Sequence, residues 1–197
     1  MRLVIATKNR HKVRELRAYL TKFKNCDLFS LLDFPSYLPP EETGTTFEEN
    51  AIYKATHAAK HLGVYALSDD SGLVVPALNG APGIFSARFS GEHASDKDNR
   101  TKLLREMQNL EGIERSAYFT CVLALARPDG SLMRCVTGLC EGVIAYEDRG
   151  REGFGYDTLF IKHGYHQTFG ELDENIKNRI SHRAKAMSKM LLYFESC

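Results

Sequence analysis

Apolar residues recur along this chain in two rhythms, near-continuous short runs and stripes at helical spacing. Residues 2–6 (RLVIA) are almost uninterrupted apolar, which predicts a first buried strand. Val13, Leu16, Leu20 and Phe23 then repeat at three- to four-residue intervals, which predicts a helix over about 9–23 with one face inward. Pro35, Pro39 and Pro40 mark an irregular connection. A second helix is expected from Thr46, which has capping-box spacing to Glu49. Phe47, Ala51, Ala55, Ala58 and Leu62 make its apolar face, and Gly63 suits its stop. A strand at 64–67 leads into Ser68-Asp69-Asp70-Ser71-Gly72, with a further short strand at 73–75 and a Gly/Pro loop at 79–83. Ser95 or Asp96 can cap a third helix with Leu103, Leu104, Met107 and Leu110 inward.

Residues 117–126 are long, apolar and rich in β-formers, Arg127-Pro128-Asp129-Gly130 is turn chemistry, and 132–137 returns; together they predict a hairpin. Further strands are expected at 142–146 and 158–162. A last helix is expected from Ser181, lined by Ala184, Met187, Leu191 and Phe194. Strands and helices intermix throughout, so the fold class is α/β, with no internal repeat or linker.

Composition narrows the function classes. Of 197 residues, 43% are hydrophobic and 26% charged, the balance of a globular protein rather than a disordered one. Lys and Arg number 26 against 25 acidic residues, so the net charge of +1 argues against a general nucleic-acid binder. No apolar run approaches the ~20 residues that span a bilayer, and the start MRLVIATKNR turns basic too soon for a secretory signal. The expectation is a cytoplasmic protein without a membrane partner. Cys26, Cys121, Cys135, Cys140 and Cys197 are odd in number and form no CxxC, which argues against a zinc ribbon or a disulfide framework. Cys121, inside an apolar run, reads as a small buried hydrophobe.

Four segments carry candidate chemistry. Thr7-Lys8-Asn9-Arg10-His11-Lys12 joins a buried strand to a helix, where backbone N–H groups suit an anion. Cations at a helix N-terminus oppose its dipole at ~0.3–1 kcal/mol each, which makes sense if a phosphate arrives to offset them. A solvated basic turn capped by Asn9 is the plain alternative. The segment has neither the Walker A nor the GxGxxG pattern.

Asp69-Asp70-Ser71-Gly72 ends a predicted strand, where α/β sheets bind ligands, although adjacent strand side chains face opposite ways. With Glu41-Glu42 as a second carboxylate source, such a segment can hold Mg²⁺; a polar turn is the alternative. Gly153-Phe154-Gly155-Tyr156-Asp157 lets backbone approach a planar ligand while a ring stacks on it, or else fills the core with its aromatics. Ser181-His182-Arg183, with Lys177 upstream, places donors for carbonyl or phosphate oxygens at a helix start, or is a capped and solvated first turn. Jointly the four describe a site for a nucleoside triphosphate.

In their order and spacing these motifs resemble the inosine/xanthosine triphosphate pyrophosphatases. The resemblance runs the whole length: the T-x-N-x-x-K turn at 7–12, Glu41-Glu42-Thr43-Gly44, Phe47-Glu48-Glu49-Asn50-Ala51, Asp69-Asp70-Ser71-Gly72, residues 80–88 (GAPGIFSAR), 153–157 (GFGYD) and Ile180-Ser181-His182-Arg183. It implies one domain over 1–197, built as two lobes on a long central mixed sheet with flanking helices, an active-site cleft between the lobes, and a homodimer. It implies hydrolysis of ITP, dITP and XTP to the monophosphate and pyrophosphate with Mg²⁺. The alternative is a related nucleotide pyrophosphatase with another or broader preference; the Nudix pattern is absent.

By the same resemblance, residues 7–12 (Thr7, Lys8, Asn9, Arg10, His11, Lys12) bind the triphosphate, Glu41 and Asp70 hold the metal, and Asp70 accepts the proton. Ser71, Phe154, Gly155, Tyr156, Asp157, Lys177, His182 and Arg183 complete the substrate contacts, with a ring of the 154–157 stretch on the base. Lys8 and His11 stand where many members have glycine, and His93 where an acidic residue is common.

Overall fold

The structure, a computed structural model, describes residues 1–21 and 26–195, the last two by backbone alone. Phe23, Phe194 as a core side chain, and Cys197 therefore lie outside the described residues. Among those described, six strands form one mixed sheet in the order β2-β1-β3-β4-β5-β6. The strands are β1 (Arg2–Ile5), β2 (Asp27–Ser30), β3 (Tyr65–Val74), β4 (Ser116–Ala126), β5 (Leu132–Ile144) and β6 (Phe160–Lys162). The helices are α1 (Arg10–Leu20), α2 (Phe47–Leu62), α3 (Asp96–Glu106), α4 (Glu174–Ile180) and α5 (His182–Glu195). β1 runs parallel to both β2 and β3, whereas β5 and β6 pair antiparallel. No helix among the described residues is long and apolar enough to cross a membrane.

The chain divides into two compact units, each with its own core. The first comprises Met1–Asp70, Cys121–Gly138 and Ala186–Cys197; the second comprises Ser71–Thr120 and Leu139–Lys185. In the first unit both sheet faces are covered. Leu3, Ile5, Cys121, Leu123 and Leu125 join Val13, Leu16 and Leu20 of α1 and Met187 and Met190 of α5. Val4, Ala6, Val122, Ala124 and Ala126 join Ala51, Ala55, Ala58 and Ala59 of α2. The two-residue period sends alternate side chains to opposite faces, and because both faces are buried the strands read as unbroken apolar runs. In the second unit Leu73, Leu103, Met107, Phe119, Phe160 and Phe169 form the core.

The predicted helices hold, with informative differences. Thr46 Oγ1 accepts the Glu49 N–H at 3.1 Å, but the Glu49 carboxylate answers Thr45 rather than Thr46. Gly63 closes α2 with φ +65°, a left-handed turn that glycine adopts without steric cost. Ser181 does start the last helix, its Oγ accepting the Ala184 N–H at 3.2 Å.

The strands expected at 64–67 and 73–75 are one strand, β3, running through the two aspartates. The charges interrupt the apolar pattern but not the backbone, because each carboxylate has a cation. Likewise the runs expected at 132–137 and 142–146 join in one strand, β5, which ends at Ile144. Gly142 there admits the backbone of β6: a Cβ at that position would collide with the Ile161 carbonyl. β2 and α4 carry no clear period because each is short, β2 with four residues and α4 with seven.

Candidate active site

In the first unit the chemistry gathers where β3 brings up Asp69 and Asp70. Asp69 is fully buried; its Oδ1 lies 2.7 Å from Lys12 Nζ, and its Oδ2 accepts the Cys121 thiol at 3.2 Å. Asp70 faces the other way, as strand alternation requires, and its Oδ1 accepts Lys54 Nζ at 2.6 Å. Lys54 also donates to Glu42 Oε1 at 2.8 Å and to the Asp69 carbonyl oxygen at 3.1 Å. Lys12 Nζ reaches the same carbonyl at 3.5 Å. Two ammonium groups, from α1 and α2, therefore converge on one peptide oxygen beside a buried carboxylate.

Burial pushes the Asp70 carboxyl above its ordinary value, and Lys54 and Lys12 pull it back only in part. Burial also works against the Lys54 ammonium, but Asp70 and Glu42 outweigh it and hold that group charged beyond its ordinary range.

The rest of the first loop frames this cluster. Asn9 caps α1, its side chain accepting the N–H groups of His11 at 2.9 Å and Lys12 at 3.2 Å. Thr7 Oγ1 accepts the Asn9 N–H at 3.1 Å. Lys8, Arg10 and His11 are exposed around the turn. Glu41 is exposed too, and the carboxylate that meets Lys54 and so neighbours Asp70 is that of Glu42.

In the second unit the loop 153–157 and the start of α5 come together. Phe154 is half-buried, with Lys177 Nζ 5.0 Å and Arg183 Cζ 5.8 Å from its ring centroid. Asp157 is buried; its Oδ2 accepts Lys177 Nζ at 2.6 Å and the Phe154 N–H at 2.8 Å. Gly153, at φ +80°, has to be glycine, because a Cβ there would run into the Asp157 carboxylate. Arg183 is 1% exposed and donates to Ser71 Oγ at 3.0 Å. His182 stacks on Phe119 with ring centroids 4.6 Å apart.

Tyr156 fills the core, one of the two alternatives that its sequence left open. Its ring is 3% exposed in the second unit's core and its hydroxyl donates to the Ser86 carbonyl at 2.9 Å. The ring that the loop presents is that of Phe154, whereas Tyr156 anchors the loop from beneath.

Sequence reasoning missed Lys54. Its signal is a cation three residues after Ala51 and four before Ala58, on the buried stripe of α2, where a solvated lysine has no place. Phe119, which sets the plane of His182, carries no signal beyond being an aromatic in an apolar run.

Comparison with known proteins shows the family. The chain is 53% identical over 197 residues to the dITP/XTP pyrophosphatase of Protochlamydia amoebophila (strain UWE25), covering 100% of this chain and 98% of that one. It is 54% identical over 196 residues to the protein of the same name from Chlamydia muridarum (strain MoPn / Nigg), covering 99% and 93%. Among solved structures, the HAM1 protein from Coxiella burnetii superposes with a TM-score of 0.90 at 40% identity, covering 100% of both chains. The Staphylococcus aureus Ham1 protein superposes with a TM-score of 0.88 at 38% identity, covering 100% of this chain and 99% of that one. The sequence profile of the Ham1 family matches residues 3–193, and the chain belongs to that family.

Proposed function

We propose that this protein hydrolyses noncanonical purine nucleoside triphosphates (ITP, dITP and XTP) to the monophosphate and pyrophosphate, and so clears them from the nucleotide pool. Relatives that share about half its residues over nearly their full length are named dITP/XTP pyrophosphatases. The observation that carries the reading is the convergence of Lys12 and Lys54 on one peptide oxygen beside the buried Asp70 carboxylate. Two cations at that point suit a polyphosphate, and a carboxylate whose pKa is raised by burial is a better proton acceptor than a solvated one.

In this reading water attacks the α-phosphorus and its proton passes to Asp70. The bond from the α-phosphorus to the bridging oxygen breaks, and pyrophosphate leaves against Lys12, Lys54 and the N-terminus of α1. Phe154 stacks on the base, and donors from Lys177, His182 and Arg183 select a 6-oxo acceptor over adenine's amino group.

The donor set fits a hard divalent cation. Glu42 Oε1 and Asp70 Oδ1 share one ammonium at 2.8 and 2.6 Å, Glu41 is adjacent, and Mg²⁺ asks only one or two carboxylates besides phosphate and water. Held by Asp70 with Glu42, or with the Glu41 that the family resemblance indicates, Mg²⁺ would neutralise triphosphate charge. Homodimeric assembly and a cytoplasmic location belong to the same proposal; the described cysteines, Cys26, Cys121, Cys135 and Cys140, are thiols, as a reducing compartment keeps them.

A panel of purine and pyrimidine triphosphates, with and without Mg²⁺, tests the reading. Pyrophosphate is expected from ITP, dITP and XTP, and Asp70→Asn should lower turnover by about 10²–10⁴-fold with the fold intact. Release of orthophosphate instead, or near-normal turnover in Asp70→Asn, would overturn it.

A further inference from the structure

The ring of Phe154 sits on a loop whose central peptide is gripped by an element that carries none of the proposed substrate contacts. Asp96, the first residue of α3, accepts the Gly155 N–H on Oδ2 at 2.6 Å. Arg100, one turn later, donates NH1 to the Gly155 carbonyl at 2.9 Å. The same guanidinium donates Nε to Asp148 Oδ1 at 2.6 Å, and that oxygen also accepts the Thr158 hydroxyl just past the loop. On the other side of the ring, the Phe154 N–H is held by Asp157. Every peptide group flanking the Phe154 side chain toward Gly155 is thus committed within the protein, so the ring's position follows from where α3 stands.

α3 itself is firmly placed. Ser95 and Asp98 form a reciprocal capping box at its start. Asn99 is 2% exposed and bonds the loop before the helix twice, accepting the Ser90 N–H at 2.8 Å and donating to the Ala87 carbonyl at 3.1 Å. Leu103 and Met107 are fixed in the core. A charged pair at i, i+4 on an anchored helix is a rigid clamp for a loop that contains two left-handed glycines, Gly153 and Gly155.

We propose that Asp96 and Arg100 are positioning residues for base recognition. They hold the Gly155 peptide, and through it the Phe154 ring, in the plane on which a purine stacks beneath Lys177 and Arg183. The inference rests on the proposed pyrophosphohydrolase activity. It differs from a general role in stability because only the base end of the substrate should feel it.

The test is steady-state kinetics on ITP and ATP with Mg²⁺ for the wild type, Asp96→Ala, Asp96→Asn and Arg100→Ala, alongside their thermal midpoints. Asp96→Ala and Arg100→Ala should each raise KM for ITP by about tenfold while kcat stays within about twofold, the signature of lost uniform binding. Their preference for ITP over ATP should narrow as well. Asp96→Asn, which keeps an oxygen to accept the Gly155 N–H, should restore KM.

Wild-type KM in both Asp96→Ala and Arg100→Ala would overturn the proposal. So would a loss of kcat that Asp96→Asn shares, since that would be an effect of charge rather than of the clamp. Arg100→Ala leaves the helix start intact and decides the matter if Asp96→Ala does not fold. A wild type that splits no purine triphosphate would instead bring down the functional reading and this inference with it, so the two failures are distinguishable.

Discussion

Lys54 shows how a single side chain can join fold and chemistry. Its side chain is 12% exposed, and it neutralises Asp70 and Glu42 from the buried stripe of α2. Removing one partner of a buried pair leaves the other desolvated and uncompensated. Lys54→Met keeps the stem volume and deletes only the charge. It should cost about 3 kcal/mol in urea unfolding, the low end for such pairs because Glu42 remains partly open to water and Lys12 still faces the cluster. It should also lower kcat/KM for ITP by about 10²-fold or more, since the carboxylate of the proposed proton acceptor Asp70 loses the ammonium that holds it. Unchanged stability and activity would mean that the lysine is an ordinary surface charge. Lys12 and Arg183 stood out in the sequence because each lies in the first turn of a helix, where a cation opposes the dipole, and Asp70 because two adjacent carboxylates interrupt an apolar stretch, although it lies inside β3. Lys54 was not, because inside a helical stretch lysine usually reads as solvent-facing. Which ring the 153–157 segment presents was left open by the sequence: Tyr156 packs inward, and Phe154, between Gly153 and Gly155, is only half-buried.

At the level of elements, carboxylates hold the helix starts. Asp33 accepts the Ser30 N–H at 2.7 Å, Glu49 the Thr45 N–H at 2.7 Å, and Asp98 the Ser95 N–H at 2.9 Å. Hydrogen bonds from Ser30, Thr45 and Ser95 respectively hold all three carboxyls below their ordinary values. A carboxyl with a depressed folded-state pKa binds protons more readily unfolded than folded. Its stabilisation is therefore complete above the unfolded value, about 4 for these side chains, and disappears as pH falls through the lower folded value. Asp98→Asn should be less stable than the wild type in urea at pH 7, and the gap should close as the solution is acidified below the unfolded value and through the lower folded one. A gap that persists at low pH would assign the effect to packing. Such caps made the helices legible, since Thr46, Gly63, Ser95 and Ser181 all end or begin elements as read. The strands were cut wrongly at Asp69-Asp70 and around Gly138 and Gly142. There a polar or small residue is tolerated by tertiary partners that a one-dimensional pattern does not contain.

Over the whole molecule, what sequence could not supply was pairing. The order β2-β1-β3-β4-β5-β6 includes a four-residue edge strand whose two apolar residues, Leu28 and Phe29, are too few to show a period, and parallel neighbours that no turn connects. What it could supply was the sequence of motifs from Thr7 to Arg183, because spacing over a full chain is a far more specific signal than any one segment. Those motifs are shared out between two compact units, with Asp70 in the first and Ser71 in the second. A nucleotide that binds only the folded chain must stabilise it by mass action. An ITP analogue with a non-hydrolysable α,β-bridge, at about 100 times its dissociation constant with Mg²⁺, should add about 2.7 kcal/mol. For a chain of this size that corresponds to a rise of about 5–10 °C in the thermal midpoint. The matching adenine analogue at the same concentration should give a smaller rise, because mismatched donors at the base weaken its binding. Equal shifts would mean that recognition stops at the triphosphate. Absence of any shift at millimolar analogue would mean that the cationic cluster of α1 and α2 does not receive a nucleotide.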